Sequence, residues 1–255
     1  MKTGLFFLVL LFGVSVSTVC HAVGPNNALN DTGIDTFADD SNNNLIIEPA
    51  THPGQDAGIG RDAAAKAGVL TKVGGGSKGF DFTKIANDGS VLPATAALGS
   101  GATDWACTRD NVTGLMWEVK TTSGLRSQQH TYTWYNSDPA TNGGSAGTAS
   151  GGTCVASGRC DTAKYVADVN AAGLCGHNDW RMPTRSELRS IVDLGRTDTT
   201  IDTAWFPNTP VSSFWSASAD ANNSGRAWHV DFYYGHARYL VKSGTFQARL
   251  VRAGQ

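Results

Sequence analysis

Trp180-Arg181-Met182-Pro183-Thr184-Arg185-Ser186-Glu187-Leu188 contains a complete helix start. Thr184 and Glu187 stand three residues apart, so the threonine hydroxyl can accept the third helical amide while the carboxylate returns to the cap amide. Pro183 fixes the approach of the backbone, and Leu188, Ile191 and Val192 follow at helical spacing as a buried stripe. Trp180 reads as core, and Arg181 is expected to pair with a buried acid such as Asp231.

Working outward, Asp161 caps a second helix whose apolar positions Tyr165, Val166, Val169 and Ala172 recur at helical spacing, with Gly173 placed to end it. Asp110-Asn111-Val112-Thr113-Gly114 is a turn before the strand Leu115-Met116-Trp117-Glu118-Val119. Beyond the helices the period changes to two. Trp228, Val230 and Phe232 alternate with His229 and Asp231, a turn spans Tyr233 to Ala237, Tyr239-Leu240-Val241 follows, and a last strand is expected over Gln247 to Arg252. Two short helices followed by a run of strands make an α+β domain with an antiparallel sheet.

Composition sets the boundaries. All seven tryptophans fall between Trp105 and Trp228, while residues 23–103 hold no Trp or Cys and carry nine acids against five bases. The expected organisation is a signal peptide over 1–22, a low-complexity, poorly structured linker over 23–103 and a folded domain over 104–255. Within the linker, Gly79-Phe80-Asp81-Phe82-Thr83-Lys84-Ile85 alternates well enough to add a strand to the domain. Lys2, the apolar run Gly4 to Val16 and the small Ala22 give the signal its three parts, and the run is too short to span a bilayer. The protein is therefore expected to be secreted or periplasmic, without a transmembrane segment. Charged residues make up 16% of the chain, against about 25% ordinarily, and the net charge is −2. That balance excludes the basic field of a nucleic-acid binder.

Removal of the signal with Cys20 leaves Cys107, Cys154, Cys160 and Cys175, an even set in an exported chain, which reads as two disulfides. Three pairings are possible. A helix over Asp161 to Ala172 separates its ends by roughly 15 to 18 Å, whereas bridged Cα atoms lie within about 7 Å, so Cys160–Cys175 is disfavoured. The expected set is Cys154–Cys160 with Cys107–Cys175. Without a C-x2-C pair, zinc is not expected.

Several catalytic patterns lack their context. Gly143-Gly144-Ser145-Ala146-Gly147 fits G-x-S-x-G, yet lies in a Gly/Ser-rich loop rather than at a strand-to-helix elbow. Gly58-Ile59-Gly60-Arg61-Asp62-Ala63 has no strand before it, and Asp40, Asn42 and Asn44 are followed by Leu45 where a calcium loop needs glycine. Asn30-Asp31-Thr32, Asn111-Val112-Thr113 and Asn222-Asn223-Ser224 are N-glycosylation sequons, meaningful only where a glycosylating enzyme is present.

Taken together with Asp110 to Trp117, Phe214-Trp215-Ser216-Ala217-Ser218, Ala227-Trp228-His229-Val230-Asp231-Phe232 and the closing Val251-Arg252, the Trp180–Leu188 stretch resembles the Lcl C-terminal domain family of bacterial exported proteins. The resemblance covers roughly residues 104–252. It implies a C-type-lectin-like fold, similar also to formylglycine-generating-enzyme domains, and a role like that of adhesins, the eponymous member being associated with sulfated glycosaminoglycans. The oxidoreductase chemistry of the formylglycine-generating relatives needs a reactive cysteine pair late in the domain, and no cysteine follows Cys175. No catalytic residue, cofactor or metal is therefore expected.

The residues read as ligand-binding are His229, Tyr233, Tyr234, His236, Arg238 and Tyr239, because tyrosine rings stack on sugars and arginine or protonated histidine suits sulfate or carboxylate. Residues 176–255 hold nine Lys+Arg against seven Asp+Glu, a small cationic surplus. Two functions follow as expectations: a non-catalytic binding module for an acidic glycan or a surface protein, or a durable envelope scaffold without a small ligand.

Overall fold

The computed structural model describes residues 29–254, so the signal peptide expected over 1–22 lies outside the described residues. Among the described residues three short α-helices, α1 (Gly60–Lys66), α2 (Thr162–Ala171) and α3 (Arg185–Arg189), accompany ten strands. The strands are β1 (Phe82–Ala86), β2 (Val91–Leu92), β3 (Trp105–Asp110), β4 (Leu115–Glu118), β5 (Tyr132–Thr133), β6 (Ser213–Ala219), β7 (Arg226–Asp231), β8 (Ala237–Val241), β9 (Thr245–Phe246) and β10 (Val251–Ala253). They form antiparallel sheets in the orders β10-β4-β3-β1-β2, β6-β7-β8 and β5-β9. The domain is α+β and mostly sheet.

The five-stranded sheet is covered on both faces. Leu115 and Trp117 of β4 point into a core with Phe80, Phe82, Leu188, Phe206, Phe214, Val230 and Val251, while Met116 points the other way, toward Tyr132, Tyr165, Val169, Trp180 and Leu250. That two-sided burial is why β4 is buried at every position instead of alternating with solvent. On one side α3 and the β6–β8 sheet close the core, and on the other α2 does.

Local chemistry accounts for the helix ends. The Asp161 carboxylate accepts from the Lys164 amide at 2.9 Å, and Gly173 follows α2 in the left-handed region, with φ of 63°. At α3 both arms of the capping box form, at 3.2 Å from the Glu187 amide to Thr184 Oγ1 and 2.8 Å from the Thr184 amide to Glu187 Oε2. Arg181 pairs with this same Glu187, its two terminal nitrogens reaching both carboxylate oxygens, at 2.6 and 2.8 Å. The expected Arg181–Asp231 pair does not exist, because Asp231 is used to cap the turn after β7, accepting from the Tyr233 and Tyr234 amides.

The segment read as a poorly structured linker supplies an interior strand. β1 lies between β2 and β3, so a boundary at Asp104 cuts through the sheet. The arm before it is held by buried carboxylates: Asp62 accepts the Gly33 and Gly79 amides at 2.7 Å each, and Asp110 accepts from the Asn30 side chain. Burial raises the pKa of both acids, opposed by these hydrogen bonds. The tether continues from Leu194 N to Thr32 O at 2.8 Å.

The bridges are Cys107–Cys175 and Cys154–Cys160, the expected set. They differ in the chain they close, with sequence separations of 68 and 6. Loop-closure entropy then gives about 4 kcal/mol for the first and about 2 kcal/mol for the second. Replacing the Cys107–Cys175 pair by alanines is expected to lower the melting temperature more than replacing Cys154–Cys160. Calorimetry of the two double variants checks the order.

Candidate functional site

In the β6–β8 sheet, the register decides which side chains meet. Trp228 lies opposite Tyr239, and His229 opposite Arg238. Successive residues of a strand face opposite ways, so the expected ligand residues divide between two faces and a turn.

On one face His229 is 4% exposed, its ring stacked on Phe246 at 6.2 Å. Burial drops its pKa to about 4, only partly opposed by Asp231. It is a core residue, and its placement among surface ligand residues is corrected. Arg238 is exposed on the same face as His229. At the turn, Tyr233 and Tyr234 are exposed, with ring centroids 4.3 Å apart, and Tyr234 stacks on the half-buried His236 at 5.8 Å. Gly235, with φ of 71°, lets the turn lie against Val192 and Leu194, where a Cβ would approach both within 3 Å.

The other face carries an arrangement that the sequence reading did not assemble. Trp228 and Tyr239 meet edge to face at 5.7 Å. Arg185, the first residue of α3, lies over the Trp228 ring at 4.4 Å, and Arg226 lies over Tyr239 at 4.9 Å. Tyr239 is 47% exposed, Trp228 is half-buried, and Arg189 stands one helical turn beyond Arg185, also exposed. Among the described residues, none of Arg185, Arg189 and Arg226 pairs with a carboxylate, whereas Arg159, Arg181, Arg196 and Arg252 each do. The face is thus a two-ring aromatic shelf crossed by guanidinium groups without counter-ions. Its chemistry suits planar or ring-shaped ligands bearing negative charge.

A concavity of about 670 Å³ lies among the β1–β2, β2–β3 and β4–β5 loops and the end of α2, with Leu98, Leu125, Val169 and Leu174 among the apolar lining and Thr122, Ser123 and Asn208 among the polar. The guanidinium of Arg126 at its wall is engaged by the carbonyls of Ala106 and Val119. Among the described residues no cluster of His, Cys, Asp and Glu has the arrangement of a metal site, and no helix is long and apolar enough to cross a membrane.

Sheet, helices, bridges and shelf define a disulfide-bonded α+β domain with an exposed cationic aromatic face. The sequence model of the Lcl C-terminal domain matches residues 106–252, more than half of the chain, and the chain belongs to that family. No curated protein and no solved structure matches it.

Proposed function

We propose that this chain is an exported, non-catalytic binding module with a C-type-lectin-like domain, and that it recognises acidic glycans, sulfated or carboxylated, outside the cytoplasm. The observation that carries this reading is the Trp228–Tyr239 shelf with Arg185 and Arg226 stacked on it and no carboxylate neutralising them. Aromatic faces supply contact to sugar rings, and forked guanidinium donors match sulfate and carboxylate oxygens. Arg238 lies on the opposite face of the sheet, with His229, and is not part of this surface. The two disulfides support secretion or a periplasmic location, the setting that the family resemblance implies.

The test is retention on an immobilised sulfated polysaccharide at low salt. Arg185→Ala with Arg226→Ala is expected to weaken binding about tenfold or more, a loss of about 1.4 kcal/mol. The melting temperature should change little, because Arg185 is exposed, Arg226 is half-buried and neither pairs with a carboxylate. Retention should also fall as salt rises. Equal retention of wild type and double variant would remove the site from this face, and no retention at low salt would favour the envelope-scaffold reading.

A further inference from the structure

The three sequons, which the binding reading leaves unused, are sorted sharply by the structure. The Asn30 carboxamide donates to Asp110 and to the carbonyl of Ser190, and the hydroxyl of its Thr32 is taken by Asp56. The Asn111 carboxamide donates to Asp81 and Thr83 at 2.8 and 2.9 Å, while its Thr113 is buried and donates to Asp110 at 2.7 Å. In both, the nitrogen that must react and the hydroxyl that must be recognised hold the fold together. Asn222 is different. It sits at the tip of the β6–β7 hairpin, where Ala221 to Gly225 are all exposed. Among the described residues neither its carboxamide nor the Ser224 hydroxyl has a hydrogen-bond partner, and only the backbone amide of Asn222 is engaged, by Asp220 at 3.0 Å. Asp220 also places an acid two residues before the asparagine, where the other two sequons have Ala28 and Arg109.

We infer that Asn222 is a site of N-linked glycosylation on the folded protein, the substrate being an oligosaccharide carried on a lipid pyrophosphate. In the transfer, Asn222 Nδ2 forms a bond to C1 of the first sugar, the bond from C1 to the pyrophosphate oxygen breaks, and one amide proton is released. The lipid pyrophosphate leaves with the electron pair of that bond, and nothing is oxidised or reduced. Because the Asn222 side chain is already exposed, an enzyme can draw the asparagine out by releasing one hydrogen bond, from its backbone amide to the buried Asp220 carboxylate. The site depends on export, but not on the acidic-glycan reading, since it uses neither the shelf arginines nor the tyrosines.

The experiment incubates the folded, disulfide-bonded protein with a purified bacterial oligosaccharyltransferase and its lipid-linked oligosaccharide, and maps the product by mass spectrometry. One glycan per chain is expected, on Asn222, absent from Asn222→Gln and from Ser224→Ala. Both substitutions lie on the exposed tip, and an unchanged melting temperature shows that the fold is retained. A peptide spanning residues 216–228 is run beside it. If the peptide is modified and the folded protein is not, the tip does not present Asn222 and the inference fails. If neither is modified, this sequence is not an acceptor and the inference also fails. Transfer to Asn30 or Asn111 of the folded protein in place of Asn222 would overturn the sorting of the three sites.

Discussion

A chain that begins at Asp104 is expected not to fold, whereas one that begins at Leu29 should unfold cooperatively. The shortened chain lacks β1, which pairs with β3 from Phe82↔Asp110 to Ala86↔Trp105 and separates β3 from β2. It also loses Phe80 and Phe82, each 1% exposed, the second packed edge to face on Phe206 at 5.2 Å. Losing one buried phenylalanine side chain costs about 3–5 kcal/mol, so the two together approach the whole stability of an ordinary domain, about 5–15 kcal/mol. The deletion further leaves β3 as a bare edge that invites aggregation. Circular dichroism melts of the two chains decide the matter, with Phe82→Ala in the longer chain as an intermediate step of about 3–5 kcal/mol. A sharp melt of the Asp104 chain at the temperature of the longer one would show β1 to be an accessory strand.

What was legible in the sequence was mostly what short range decides. The α3 capping box needs only Thr184 and Glu187, and α2 only Asp161, its apolar stripe and Gly173, so both appear where expected. The disulfide pairing was partly legible, because a helix imposes a distance on the cysteines flanking it and so disfavours Cys160–Cys175, which leaves two sets, one of them the observed one. β1 was half legible. Its alternation marked a strand, but the poverty of residues 23–103 in Trp and Cys hid that two phenylalanines there belong to the main core. Central position in a sheet is fixed by pairing with β3, about twenty residues later, and no local pattern records it. Asp231 was misread because the competing partner for Arg181, Glu187, was already accounted for in the capping box, and one carboxylate serves both tasks. At the site, alternation correctly put Trp228 on the face of Val230, but it could not show where along that face the cover of α3 ends and the surface begins. Arg185 joins Trp228 only through the packing of a helix on a sheet.

Beneath the sheet lies a cluster of charge that the proposed function does not use, and removing its carboxylate should have the second large effect. Glu118, Lys120 and Arg249 are each fully buried. Glu118 Oε1 accepts from Lys120 Nζ at 2.8 Å and from the Tyr165 hydroxyl, while Oε2 accepts the Leu250 amide at 2.9 Å. Arg249 donates to the Glu118 carbonyl and to Thr209, and its Nε has no partner. Two buried cations thus lie about one buried carboxylate, Lys120 in contact with it and Arg249 bonded to the backbone carbonyl of the same residue. Glu118→Gln leaves both without a counter-ion and is expected to cost about 3–5 kcal/mol, the range for breaking a buried pair. Lys120→Met instead leaves one anion beside one cation and should be much milder. Burial lowers the Lys120 pKa from 10.5 to about 8, with Glu118 opposing. Between pH 8 and 10.5 the unfolded chain therefore holds a proton that the folded chain has shed, so stability rises with pH across this window, and the cost of the buried ammonium is fully present below pH 8. Above pH 10 the buried Tyr165, whose pKa burial raises, acts in the opposite direction, so the readable interval is pH 8 to 10. Denaturant melts of wild type should show midpoints climbing over that interval, and Lys120→Met should lose most of the climb. An unchanged climb in Lys120→Met, or a loss below about 1 kcal/mol in Glu118→Gln against the range for a broken buried pair, would mean that water reaches this cluster and solvates its charges.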